Sequence, residues 1–167
     1  EKIILMEIDE EKIKQIVSNV IDKNLNLSKN YIFTSTVKYK VLVKRLKRIV
    51  SKALKYIIET LIQSDFSIEG IESEFSKDSR YKPIILELES GQKVEITGKI
   101  DRIDTAINEE GKYLRIIDYK SSSKNIDLNE VYAGLQIQLL TYVDAICKTE
   151  DIMPAGIFYF SLLEQMV

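Results

Sequence analysis

The stretch GKIDRIDTAINEEGKYLRIIDYKS, residues 98–121, decides how this chain folds. Leading into it, Val94, Ile96 and Ile100 alternate with Glu95, Thr97, Lys99 and Asp101. Successive strand side chains point to opposite faces, so the alternation predicts a strand with one apolar and one charged face. Thr105 to Lys112, which contains Asn108 and Gly111, reads as a loop, and Tyr113 to Lys120 as a further strand rich in β-formers. The apolar run Leu114 to Ile117 ends on Asp118-Tyr119-Lys120. Residues i and i+2 of a strand share a face about 6.6 Å apart, so a carboxylate and an ammonium stand side by side there. Burying such a pair is costly unless it has partners.

An acid two residues before a lysine occurs three times, at Glu10-Lys12, Glu110-Lys112 and Asp118-Lys120. The first opens an amphipathic helix and the second falls in a loop, where solvated charge needs no explanation. Only the third ends an apolar strand, and taken alone it fits a surface ion pair as well as a functional site. Asp101 closes the preceding strand. Paired antiparallel strands lie roughly 4.8 Å apart, so pairing of the two would let Asp101 and Asp118 converge. Converging carboxylates repel unless a cation lies between them, and hard divalent ions, Mg²⁺ or Mn²⁺, suit oxygen ligands. Gly98 fits either a bulge or a close backbone approach.

Outward from this stretch, Ile13, Ile16, Val17, Val20 and Ile21 predict an amphipathic helix over 10–25, followed by a polar break at 24–30. A longer helix is expected over 36–63, with Leu42, Leu46, Ile49, Val50, Ala53, Ile57 and Leu61 on its apolar side. Lys40, Lys44, Lys47, Arg48 and Lys55 gather on the other side. Ile71 to Phe75 and Ile84 to Glu89 are short strand candidates, separated by a polar loop over 78–83. Glu74, in the first of them, is a weaker third acid, with an ordinary surface role as the competing reading. Downstream, Asp127 followed by Glu130 resembles a capping box that starts a helix running to about Lys148. Gln138 falls on the face this helix should bury, with Tyr142 one turn on, whereas Gln136 sits on the flank and reads as solvated. A core amide bonded to backbone would explain Gln138 equally well. After Pro154, residues 155–162 suit a buried strand.

Composition narrows the chemistry. Among 167 residues there is no histidine, which excludes histidine-based triads, HExxH zinc sites and imidazole general bases. The single cysteine, Cys147, can form neither an internal disulfide nor a clustered thiolate site, and reads as a core side chain. No stretch approaches the roughly 18 apolar residues of a membrane helix, and the start lacks signal-peptide organisation, so a soluble intracellular protein is expected. The chain opens on Glu1 and stops just after an apolar run, as a piece of a larger protein would. Overall charge is −2, yet residues 36–64 hold eight basic side chains against Glu59, a net of +7, leaving −9 for the remainder. That basic helix could meet nucleic-acid phosphates or an acidic surface elsewhere in a parent protein.

Taken together, GKID at 98–101, IIDYKS at 116–121 and GLQIQLLTY at 134–142 resemble the motifs of the RecB-like branch of the PD-(D/E)xK nuclease superfamily, as found in AddAB-type helicase-nucleases. The resemblance covers about residues 71–162. It implies an α/β, restriction-endonuclease-like core: a mixed sheet flanked by helices in the order α-β-β-β-α-β, with an extra N-terminal helix. Residues 1–30 would be an N-terminal helical segment and 36–162 the core of one nuclease domain. By the same resemblance Asp101 and Asp118 are metal ligands, Lys120 is the catalytic lysine, and Gln138 with Tyr142 forms the helical motif beside them. It further implies a Mg²⁺- or Mn²⁺-dependent, cytoplasmic DNA exonuclease that works with an AddA-like A subunit on broken DNA ends during recombinational repair. Similar proteins often carry a histidine on the helix before the sheet, and AddAB-type nuclease domains hold an iron-sulfur cluster through flanking cysteines. This sequence has neither the histidine nor those cysteines, so the cluster segments are expected to lie outside it. A competing reading is a catalytically silent domain that keeps the fold for DNA guidance or scaffolding. Retention of two aspartates and a lysine together speaks against it.

Overall fold

Strand pairing is what turns the alternating segments into a frame, and the first surprise is where the chain changes partner. The structure, a computed structural model, describes residues 5–27 and 36–162. In chain order the elements are α1 (Glu10–Leu27), α2 (Val37–Gln63), β1 (Ser67–Phe75), β2 (Ile84–Glu87), β3 (Lys93–Ile96), β4 (Gly98–Asn108), β5 (Gly111–Lys120), α3 (Leu128–Tyr132), α4 (Gln138–Cys147) and β6 (Met153–Ser161). They form two compact units, one spanning Asp65–Ser161 and the other holding the helical pair α1 and α2.

In the larger unit the sheet order is β1-β4-β5-β6. The first two neighbour pairs are antiparallel and β5-β6 is parallel, because the chain crosses back through α3 and α4 before β6. This is the mixed α/β sheet that the sequence led us to expect. The expected single strand over 94–101 is divided at Thr97: Val94 and Ile96 pair with Leu86 and Ile84 in a separate hairpin, whereas Gly98 pairs with Phe75. The first strand of the main sheet is therefore β1, longer than the expected 71–75, and the 84–89 segment lies outside the main sheet.

The expected loop over 105–112 is mostly strand. Thr105, Ala106 and Ile107 pair with Leu114, Tyr113 and Lys112, and only Glu109 and Glu110 form the turn. Asn108 Oδ1 accepts from the backbone N–H groups of Glu110 and Gly111 at 2.9 and 3.2 Å, so the residue that signals a loop in fact closes a tight hairpin.

The expected continuous helix over 127–148 is also broken. Asp127 caps α3 by accepting from Asn129 N–H, as its position predicted. Gly134, at φ +76°, then ends the helix: its N–H reaches the Val131 carbonyl and that of Leu135 the Glu130 carbonyl, a Schellman arrangement. The break rotates the residues beyond it, so Leu135 is 76% exposed and Gln136, expected to be solvated, is buried against Glu130 and the Asp127 N–H.

The core lies between α4 and one face of the sheet, where Leu139, Tyr142, Ala145 and Ile146 pack with Phe75, Ile100, Ile103, Leu114 and Ile116. Cys147 packs against the same core, and burial pushes its thiol pKa up. The last strand, expected to be buried, is the sheet edge and half exposed, with Phe158 at 50%. The sheet's other face buries charge: Arg102 makes a bidentate pair with Asp104 at 2.7 and 2.8 Å, and Arg115 reaches the same carboxylate at 2.7 Å.

In the helical unit α1 and α2 pack through Ile13, Val17 and Ile58, with Val50, Leu54 and Ile62 beside them. The buried side of α2 thus steps by four from Val50 to Ile62, and Leu42 and Leu46 of the expected apolar side are exposed. Among the described residues no helix is long and apolar enough to cross a membrane.

Candidate active site

Asp118 stands on β5 where an apolar strand turns charged, and its carboxylate is almost completely buried, at 2% residue exposure. Strand periodicity puts it on the same face as Leu114 and Ile116, at the end of the core rather than in solvent. Oδ1 accepts a 3.3 Å hydrogen bond from Gln138 Nε2. Oδ2 lies 2.6 Å from Lys120 Nζ, a close ion pair, and is a buried oxygen that finds no other donor. The Asp118 carboxylate holds the Lys120 ammonium above its usual pKa.

Asp101 approaches from β4. The β4-β5 ladder ends at Arg102↔Ile117, and one step further Asp101 Oδ2 accepts from the Tyr119 N–H at 2.8 Å. A side chain replaces the backbone acceptor, which fixes this carboxylate beside the peptide after Asp118. Asp118 and, more weakly, Asp101 both raise the Lys120 pKa electrostatically.

From α4, Gln138 completes the group. Its Nε2 donates to the Tyr142 hydroxyl at 2.7 Å as well as to Asp118, and its Oε1 accepts from Lys120 at 3.4 Å. Gln138 is not on a buried face as expected. It is exposed at the first turn of α4, where the helix break at Gly134 leaves it facing the strand ends. Tyr142 is buried and meets the Phe75 ring edge-on at 5.5 Å. Gly98 explains itself here: a Cβ would lie 2.7 Å from Phe75 Cε1 and Cζ, so the ring sits on the glycine.

The structure thus brings Asp101, Asp118, Lys120, Gln138 and Tyr142 into one connected group. Glu74 is exposed on β1, with its Cα paired to that of Lys99. Sequence reasoning missed Tyr159. The parallel register sets it beside Asp118, and its ring lies 5.6 Å from Lys120 Nζ. Only the β5-β6 register reveals it. Of the five basic residues singled out on α2, Lys47 pairs with Asp22 at 2.7 Å and Lys55 with Glu10 at 3.2 Å, so α1 neutralises both.

A divalent cation fits the donor set in part. Two carboxylates supply hard oxygens, and Asp118 Oδ2 is buried with the Lys120 ammonium as its one close partner. Among the described residues no group of three or more acidic, histidine or cysteine side chains could hold a metal, so any further ligands would have to come from backbone, water or substrate.

Comparison with known proteins agrees with this architecture. The model of the PD-(D/E)xK nuclease superfamily matches residues 4–167. The chain is 42% identical over 96% of its length to the B subunit of the ATP-dependent helicase/deoxyribonuclease of Clostridium novyi, and covers 15% of that protein. It is 41% identical, again over 96%, to the protein of the same name from Ruminiclostridium cellulolyticum, of which it covers 14%. The Clostridium tetani counterpart is 38% identical. The chain therefore spans about one seventh of these relatives, and within that span it is a member of the PD-(D/E)xK nuclease superfamily.

Proposed function

We propose that this chain is the nuclease core of a helicase-nuclease B subunit, cleaving DNA phosphodiesters at ends delivered by a helicase partner in recombinational repair, with Mg²⁺ or Mn²⁺ as cofactor. The observation that carries the proposal is Asp118: a buried carboxylate beside Asp101, with a lysine at 2.6 Å and a glutamine bridging to both its oxygen and that lysine. A structural ion pair would not need a second carboxylate fixed against the neighbouring peptide. The deoxyribonuclease named in the relatives supports DNA as substrate.

Asp101 and Asp118 would hold the cation, which when bound supplies charge neutralisation and a lowered water pKa. The chain's own residues do the rest. Lys120 presents an ammonium to the developing negative charge of the phosphoryl group, a fixed charge that needs no reorganisation during reaction. Gln138 holds that ammonium by its carbonyl and Asp118 by its amide, so the two charged groups keep their relative position. Tyr142 orients Gln138 from the core. No protein nucleophile is required, in keeping with a chain that has no histidine. The iron-sulfur cluster expected of AddAB-type domains would be held by cysteines elsewhere in the parent protein.

The test is made on the full-length protein with its helicase partner. Asp118→Ala and Lys120→Ala should each abolish metal-dependent cleavage of linear DNA while leaving the thermal unfolding cooperative. Full cleavage by both variants would sink the assignment. A calorimetric titration with Mn²⁺ separates the silent-domain reading: no binding, and no change on Asp101→Ala, would favour a domain that only guides DNA or scaffolds its partner.

A further inference from the structure

The sheet face that carries the core ends in charge, and one aromatic ring follows it there. On β5 that face runs Ile116, Asp118, Lys120, and the parallel register sets Ile157, Tyr159 and Ser161 of β6 beside them in turn. Ile157 and Tyr159 are both half-buried against the core. An aliphatic side chain serves that purpose at 157. At 159 the neighbours on β5 are an aspartate and a lysine, and the ring centroid lies 5.6 Å from Lys120 Nζ. A tyrosine ring has no formal charge but a negative face, which attracts a cation within about 6 Å of its centroid.

Lys120 thus has three partners of different kinds: Asp118 Oδ2 at 2.6 Å, Gln138 Oε1 at 3.4 Å and the Tyr159 ring. Only the first neutralises the ammonium, and it is an oxygen that a cation between the aspartates would also need. Held at that oxygen, Nζ stands near the outer reach of the ring's attraction, so it gains by moving closer when the oxygen is taken. The Lys120 side chain is 29% exposed, and an ammonium is strongly hydrated, so a displaced one with no other partner would turn to solvent. We propose that Tyr159 is a positioning residue for Lys120: when a divalent cation takes Asp118 Oδ2, the ammonium shifts onto the Tyr159 ring and stays in the site with its charge uncancelled. The proposal rests on the part of the nuclease reading that puts a cation at Asp101 and Asp118. The working part of Tyr159 is its ring and not its hydroxyl, and a leucine would fill the core without offering such a face.

Mn²⁺ titration calorimetry on the full-length protein with its helicase partner, taking as the site the binding lost in Asp101→Ala, tests this. Tyr159→Leu should weaken that binding roughly five- to tenfold, because the displaced ammonium loses the ring. Tyr159→Phe keeps the ring and should stay within about twofold of the parent. In a Lys120→Ala background, Tyr159→Leu should change Mn²⁺ affinity by less than about twofold, since no ammonium remains to be received, whereas a residue that merely packs would give the same loss in both backgrounds. Should Tyr159→Leu fail to melt cooperatively, Tyr159→Met, unbranched and without an aromatic face, takes its place in the same cycle. Three results each overturn the proposal and leave the nuclease reading intact: equal Mn²⁺ affinity in Tyr159→Leu and the parent, equal losses with and without Lys120, or a loss in Tyr159→Phe as large as in Tyr159→Leu. Absence of Mn²⁺ binding by the unmodified complex overturns both. Cleavage that survives Asp118→Ala overturns the nuclease reading alone, and the coupling between Tyr159 and Lys120 in Mn²⁺ affinity still decides the role of the ring.

Discussion

Lys120 Nζ sits 2.6 Å from Asp118 Oδ2, an oxygen that is shielded from solvent and finds no other donor. The ammonium therefore supplies the compensating charge for a buried carboxylate whose other oxygen has only the neutral Gln138 amide as donor. It also competes with any cation for the same oxygen. Lys120→Ala should destabilise the metal-free protein by about 1–3 kcal/mol, the range for a buried polar group deprived of its partner. Mn²⁺ should then raise the melting temperature more in the variant than in the unmodified protein, since binding no longer has to displace a lysine, while cleavage stays lost. Equal Mn²⁺ shifts in the two proteins would show that Lys120 does not share the cation's oxygen.

Gly98 links strand pairing to the site through Phe75. Its missing side chain leaves room for a ring that is 1% exposed and touches Tyr142, whose hydroxyl accepts from Gln138. Gly98→Ala should cost about 1–3 kcal/mol by overpacking, measured by urea unfolding. It should also lower cleavage by the folded fraction, because the displaced ring pushes on Tyr142. Adding Phe75→Leu should recover part of the stability and none of the ring contact. A Gly98→Ala protein as stable and active as the parent would mean the ring has freedom to move away.

What the sequence revealed and what it hid are both matters of range. Asp118 and Lys120 were legible because a strand's two-residue period fixes their common face locally, whatever the rest of the chain does. Asp101 needed one non-local fact, the β4-β5 pairing, and the sequence contained a decoy: GKIDRID has a second acid three residues on. The structure separates them, with Asp101 bonded to the Tyr119 N–H and Asp104 buried between two arginines on the opposite face. Tyr159 depended on a parallel register set by a crossover, which no local pattern encodes. The single long helix over 127–148 failed for a specific reason. Periodicity runs through Gly134 unbroken, but a positive φ there ends one helix and starts the next in a new rotation, exchanging the environments of Gln136 and Gln138.

Asp104 should prove structural. It is fully buried and carries the charge that compensates Arg102 and Arg115, while Arg102 also reaches the Tyr119 hydroxyl at 3.3 Å. Asp104→Asn keeps the shape and removes that charge, leaving two guanidinium groups around a neutral amide, for which a loss of about 3–5 kcal/mol is expected. Mn²⁺ affinity of whatever fraction remains folded should be unchanged. Chemical denaturation gives the first quantity and calorimetry the second. A weakened Mn²⁺ site in folded Asp104→Asn would move this residue into the active group.

Acid should remove a stabilising contribution made by Glu69. Burial alone would raise its pKa, but hydrogen bonds from Lys112, Thr105 and Arg80 outweigh it and hold the carboxyl at about 2. A depressed carboxylate pKa contributes stability that is fully present above the unfolded value of about 4.3, and that contribution is lost as pH falls from there through the folded value. Arg80 is about half exposed, so solvent screening trims the contribution to roughly 1–2 kcal/mol. Glu69→Gln should therefore be less stable than the parent at pH 7 by that amount, and the two unfolding free energies should converge as pH approaches 2. Parallel denaturant melts at pH 7, 5, 4, 3 and 2 measure the difference directly. A gap that stays constant across the series would mean that Glu69 contributes by shape and not by charge, and that Lys112 and Arg80 find equal partners without it.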